Sequence, residues 1–200
     1  MTTSIPCTVV LTCHPEISSR ATQGIEARVG WTPDRALALT YVLKGTMTRL
    51  RIPPARSPRR ADRLWQHTCF EAFVAVKGKP EYCEFNFAPS GEWAAYSFRS
   101  YRDGAPLVNE ELMPQMTVRR ADNSFKLDVI VRLDRLPMIP PGARLRLGLS
   151  AVIEEDNSTL SYWALKHPPG KPDFHHPEAF ELELELPCVK DVNESAMGKR

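Results

Sequence analysis

The sequence predicts an all-β fold, a single antiparallel β-sandwich of immunoglobulin-like or jelly-roll-like type with about ten to twelve strands. Three observations support this. Apolar and polar residues alternate with a period of two along most of the 200 residues. The alternating runs are short and set apart by turn-forming residues, among them many of the 18 prolines. No long amphipathic helix competes with them.

Taken in order, Val9 to Thr12 reads as a first strand. Ile25 to Trp31, Ala36 to Leu43, Thr46 to Ile52, Thr68 to Val76 and Glu81 to Ala88 follow, then Trp93 to Tyr101, Gln115 to Arg120, Phe125 to Leu133, Arg144 to Ile153 and Thr159 to Leu165. Ala179 to Leu186 (AFELELEL) alternates most cleanly, with Phe180, Leu182, Leu184 and Leu186 expected inward. Lys44-Gly45, Pro89-Ser90-Gly91 and Ala121 to Ser124 read as turns between strands. Residues 103–114 have room for a helical turn. Residues 1–187 are expected to form one domain, and 188–200 a flexible polar tail.

Composition excludes several function classes. The net charge is +2, so no overall field favours nucleic acid. Arg49 to Arg63 is rich in arginine and proline but has no interleaved aromatic residue; it reads as a solvated loop, with an anionic ligand contact from one arginine as the other reading. The N-terminus lacks a basic start and a long apolar run, and no segment is apolar enough to span a bilayer. The expectation is a soluble, cytoplasmic protein with no membrane partner. The five cysteines are scattered without a C-x-x-C and are expected as free, largely buried thiols.

The densest chemistry lies in Leu64 to Tyr101. On Thr68 to Val76, Phe70, Ala72, Val74 and Val76 share one face, and Cys69, Glu71 and Phe73 the other. On Glu81 to Phe87, Cys83, Phe85 and Phe87 oppose Tyr82, Glu84 and Asn86. On the third strand, Ala94, Tyr96 and Phe98 are expected in the core, and Trp93 and Arg99 on the mixed face. Glu71, Glu84, Asn86 and Arg99 would then converge beside Trp93 and Tyr82. Aromatic faces cover the apolar side of a pyranose, while carboxylates and amides bond its hydroxyls. A solvent face with cross-strand ion pairs such as Glu84–Arg99 satisfies the same pattern.

Other chemistries are weaker. Two carboxylates on one face invite a glycosidase reading, but nothing fixes their separation. His175 and His176 are adjacent in a proline-rich loop and ill-placed to share one metal ion. His67 and Cys69 would share a strand face, without a sign of an activated thiol. Phosphate loops, G-x-S-x-G and H-E-x-x-H are absent from the sequence.

The blocks RADRLWQHTCFEAFVAV, EYCEFNFAPSGEWAAYSFRSYRDG and LSYWALKHPPGKPDFHHPEAFELEL resemble the bacterial DOMON-like proteins. These are related to family 9 carbohydrate-binding modules and to the DOMON group of haem- and sugar-binding sandwiches. The likeness runs from about residue 36 to 186, and its motifs are L-W-x-x-T-C-F-E-x-F and Y-x-E-F-N-F-x-P-S-G-x-W-A-A-Y. It implies a ligand site on the concave face of one sheet, with Trp65, Glu71, Glu84, Asn86, Trp93 and Arg99 as candidates. Trp163 and His175 join them from the last block. The sequence departs from haem-binding members in lacking an evident Met/His pair. The expectation is a non-enzymatic binder of a carbohydrate or sugar-derived metabolite that needs no cofactor. A haem-binding redox module and a structural or protein-interaction domain are the alternatives.

Overall fold

The alternation forms strands throughout, and the computed structural model describes residues 7–187. The strands are β1 (Cys7–Cys13), β2 (Thr22–Trp31), β3 (Leu37–Gly45), β4 (Arg59–Arg60), β5 (Cys69–Val76), β6 (Tyr82–Phe87) and β7 (Glu92–Ser100), followed by β8 (Asp103–Pro106), β9 (Gln115–Ala121), β10 (Ser124–Val131), β11 (Arg144–Glu154), β12 (Leu160–Ala164) and β13 (Leu182–Glu185). Five short 3-10 turns are interspersed. The expected tail from residue 188 lies outside the described residues.

The strands form two facing layers. The front layer has the order β1-β2-β3-β10-β9, and the back layer β12-β11-β5-β6-β7 with β4 and β8 beyond β7. The first strand joins them: Cys7–Leu11 pair with β2, whereas Thr12 and Cys13 pair with β12. Strand β11 is long enough that β12 and β13 share one of its edges, end to end. All pairings between these strands are antiparallel except the short β4–β7 pair.

Inward residues of both layers make one core. Leu37, Leu39, Tyr41 and Leu43 on β3 and Phe125, Leu127, Val129 and Val131 on β10 are buried at every second position. They face Phe70, Ala72 and Val74 of β5. The Phe70 ring stacks on Phe125 at 5.6 Å and meets Tyr41 at 5.1 Å. The Tyr41 hydroxyl donates across the layers to the Glu71 carbonyl at 2.8 Å.

The two layers differ on their outer sides. The front layer is wet there, and Asp128 accepts from Thr40 at 2.6 Å and pairs with Lys126 at 3.1 Å. The back layer is covered: every residue of β6 and nearly all of β5 is buried. One cover comes from the chain ahead of β13, where Phe180 stacks on Phe73 at 5.6 Å. Gly148 makes that approach possible, since a Cβ there would lie 2.8 Å from the Phe180 ring. The other cover is Leu64, packed with Cys69, Ala88 and Ala94.

Three sequence expectations need correction. Thr46 to Ile52 is not a strand: Met47–Arg49 is a 3-10 turn that buries Met47, with Leu50 and Ile52 buried after it. Residues spaced by three fall on one side of such a turn, which serves the core as well as alternation would. Lys44-Gly45 accordingly ends β3 rather than turning between strands, and a Cβ at Gly45 would lie 2.2 Å from the Ala21 carbonyl oxygen. Phe180 does not share a face with Leu182 and Leu184, because the Pro177–Ala179 turn delivers it to the outer cluster instead.

The Phe70 stack is expected to dominate the contact between layers. Phe70→Ala should lower stability by about 3–5 kcal/mol, and Tyr41→Phe, which removes one hydroxyl, by about 1 kcal/mol. Urea unfolding midpoints of the two variants read both effects.

Candidate functional site

The outer face of the back layer holds a cavity of about 640 Å³ between its two covers, within the roughly 300–1,000 Å³ usual for small-molecule sites. Its floor is set by pairing register. Glu71 on β5 lies opposite Asn86 on β6, and Phe73 lies opposite Glu84. Glu84 and Asn86 in turn lie opposite Tyr96 and Ala94 of β7. The two carboxyls are therefore diagonal neighbours on one face. Trp65, Tyr96, Phe98, Tyr162 and Phe174 contribute the aromatic walls.

The floor is buried and polar. Glu71 is 2% exposed and Glu84 5%. Ser150 Oγ donates to Glu71 Oε2 at 3.1 Å, and Asn86 Nδ2 donates to Glu84 Oε1 at 2.6 Å. Burial, reinforced by the Glu84 charge, pushes the Glu71 carboxyl well above its usual range despite the Ser150 bond. Burial also drives Glu84 up to about 7, against the lowering pull of Asn86 and Arg102. Close to neutral pH this floor holds protons that exposed carboxylates would have lost.

His175 closes one side. Its Nδ1 lies 2.9 Å from the Tyr82 hydroxyl, which accepts the Arg102 N–H at 3.1 Å. The Tyr82 hydroxyl has one proton to place, and Nδ1 of the neutral ring is its one acceptor among the described residues, so it donates there and the imidazole proton sits on Nε2. Nε2 is 3.7 Å from Glu84 Oε2. Burial and the Arg102 charge lower the His175 pKa to about 4, with Asp173 opposing, so the ring is neutral at pH 7. Arg102 is held by Asp173 at 2.8 Å, and Tyr101 donates to the same carboxylate at 2.5 Å.

Arg63 lies across the cavity. Both Arg63 (φ 61) and Arg102 (φ 57) occupy the left-handed backbone region, which is costly for a residue with a side chain. The turn after Arg63 presents Trp65, 48% exposed, to the cavity.

The structure thus gathers Trp65, Glu71, Glu84 and His175 around one cavity, with Asn86 beneath Glu84. The expected face for Trp93, Arg99 and Trp163 is corrected. Trp93 pairs with Phe87 and lies in the core at 3% exposure. Arg99 points to solvent and pairs with Asp103 at 3.1 Å. Trp163 faces the core and donates to Ser161 Oγ at 3.0 Å. The cavity takes their neighbours Tyr96, Phe98 and Tyr162 instead. One signal in the sequence locates Tyr96 and Phe98: residues equidistant from Ser90, at the centre of the β6–β7 turn, lie opposite one another, which sets Trp93 against Phe87 and Tyr96 against Glu84. Asp62, Arg63 and Phe174 come from loops, where no periodicity marks them.

Cys69 is fully buried and its thiol is pushed well above the usual range by burial and the Glu71 charge. His67 does not face it but bonds Glu154 at 2.7 Å in a separate hollow, where Arg51 also pairs with Glu154. Among the described residues no group of three or more His, Cys, Asp or Glu could hold a metal ion. For a haem iron the cavity walls offer the imidazole of His175 and no thioether. In the arginine-rich loop, Arg51, Arg59 and Arg60 pair with Glu154, Glu92 and Asp62.

The sequence matches no protein-family model and no curated protein. Solved structures do match. A Bacteroides uniformis protein, provisionally described as carbohydrate-binding, aligns with 90% of this chain over 86% of its own, at 17% identity and a TM-score of 0.67. A family 9 carbohydrate-binding module from Caldicellulosiruptor kristjanssonii, solved with cellotriose, aligns with 93% of this chain over 85% of its own, at 10% identity and a TM-score of 0.54. The chain is similar in fold to carbohydrate-binding proteins. At these identities the likeness extends to the fold alone.

The raised Glu84 pKa has a consequence for stability. Between the ordinary value of 4.5 and about 7 the unfolded chain has released this proton and the folded chain keeps it, so stability falls as pH rises through that window. His175 works the other way: its folded pKa is depressed, so its contribution rises with pH between about 4 and 6.5. Glu84→Gln removes the first effect, together with the push that the Glu84 charge gives Glu71, and leaves the second. Its stability relative to the parent should climb from pH 4.5 to 7 and then level off, as read from urea midpoints along a pH series.

Proposed function

We propose that the protein binds a small carbohydrate or sugar-derived metabolite non-covalently in the cavity of the back layer and performs no reaction on it. The observation that carries this reading is the joining of aromatic walls to a floor of two buried carboxyl groups, one of them held by an amide, in one cavity of suitable volume. A pyranose ring has apolar faces and a polar edge, and the cavity offers surfaces for both. Trp65 supplies an accessible ring face. Glu71 and Glu84 present oxygens that accept from hydroxyls, and Asn86 fixes Glu84. The shared fold with a family 9 module solved with cellotriose supports a sugar as the ligand. The motifs holding Glu71, Glu84 and Asn86 support kinship with the DOMON-like proteins.

A glycan array followed by isothermal titration calorimetry tests the reading. At least one mono- or oligosaccharide should bind, and Trp65→Ala should weaken it by about tenfold while leaving the unfolding midpoint nearly unchanged. Trp93→Ala should instead lower stability by about 3–5 kcal/mol, and the midpoint with it, because it opens the core. An array on which nothing binds would overturn the proposal.

A further inference from the structure

Each buried carboxyl on the cavity floor has one oxygen to spare. Glu71 uses Oε2 for Ser150, and its Oε1 makes no hydrogen bond among the described residues. Glu84 uses Oε1 for Asn86, and its Oε2 faces His175 Nε2 at 3.7 Å, beyond hydrogen-bond reach. Both side chains are more than nine-tenths buried and both line the cavity. Around them stand the rings of Phe73, Tyr96, Phe98, Tyr162 and Trp65.

We propose that Glu71 and Glu84 together hold an ammonium group, so that the ligand of this cavity is an amino sugar. The inference rests on the sugar-binding reading and narrows its ligand class. A neutral sugar leaves the floor with a proton in place of a counter-charge. An ammonium offers several donors and a full positive charge, and its bonds to carboxylates are about twice as strong as neutral ones. The aromatic walls favour a cation over a neutral group by the attraction of ring faces for positive charge.

The other charged groups facing the floor do not cancel this preference. Arg102, whose charge reaches Glu84 and His175, is paired with Asp173, and Asp62 accepts from Arg60 and Tyr96. His175 stays neutral, with Nδ1 engaged by Tyr82. Arg63 stands at the exposed rim. Binding also has a definite proton balance: the incoming ammonium replaces a proton held by the carboxyl pair, and that proton passes to the buffer.

Calorimetry at pH 7 separates the possibilities. Glucosamine, galactosamine and mannosamine would each be titrated beside the parent hexose and the N-acetyl form, in phosphate and in HEPES, neither of which carries a primary ammonium. At least one free amine should bind about tenfold more tightly than both its parent and its N-acetyl form. Its binding heat should differ between the buffers in proportion to a released proton, and Glu84→Gln should bring the amine-to-parent affinity ratio close to one. If parent hexoses bind as tightly as the amines, or the heat is independent of buffer, the amine assignment is overturned and sugar binding stands. If no sugar binds in either form, the sugar-binding reading itself fails.

Discussion

Burying a carboxyl group costs several kcal/mol unless the group is protonated, paired or well bonded. Glu71 and Glu84 sit diagonally on adjacent strands with almost no exposure. Each has one in-sheet donor, Ser150 or Asn86, and neither has a cation of its own beside it. The fold answers by keeping protons on the pair, which is why both carboxyls titrate high. Such a pair reduces stability as pH rises from the ordinary carboxylate range towards neutral, and the surrounding structure must offset that loss.

The offset comes from the aromatic packing on either side of the same two strands. Below them, Phe70, Phe85 and Phe87 are fully buried against the front layer, and Tyr41 reaches across to the backbone of Glu71 itself. Above them, Phe73, Tyr82, Phe98 and His175 interlock, with Tyr82 stacked on Phe98 at 4.5 Å. A strand fixed from both sides does not slip in register, and a slip of one residue would send both carboxyls into the core. The position of the acid pair therefore depends on packing that lies largely outside the cavity.

Strand identity and facing were legible in the sequence wherever one face alone was apolar. Strands β3 and β10 alternate cleanly because their outer faces are wet. Strands β5 and β6 were also readable, because Glu71, Glu84 and Asn86 break otherwise apolar runs. Strand β7 was not. It carries large rings on both faces, Trp93 on one and Tyr96 and Phe98 on the other, so hydrophobicity could not choose its phase; only the turn geometry at Ser90 could. Strand β12 has the same ambiguity with Tyr162 and Trp163. The covers over the cavity were out of reach, since Trp65, Arg63 and Phe174 lie in turns whose place over the sheet is decided by tertiary packing.

The cover formed by the chain after β12 is tied to the floor through a relay of its own. The left-handed backbone at Arg102 points its N–H at the Tyr82 hydroxyl, and its guanidinium at Asp173. Asp173 also accepts the His175 backbone N–H at 3.0 Å. The β7–β8 turn and the chain after β12 thus meet over one carboxylate, and the hydroxyl that fixes the His175 tautomer belongs to the same assembly. The direction in which His175 presents its Nε2 proton to Glu84 follows from the conformation of Arg102. That gives a physical reason for an arginine to hold a backbone region that glycine would occupy at lower cost: the guanidinium anchors the cover, and the strained peptide orients the floor.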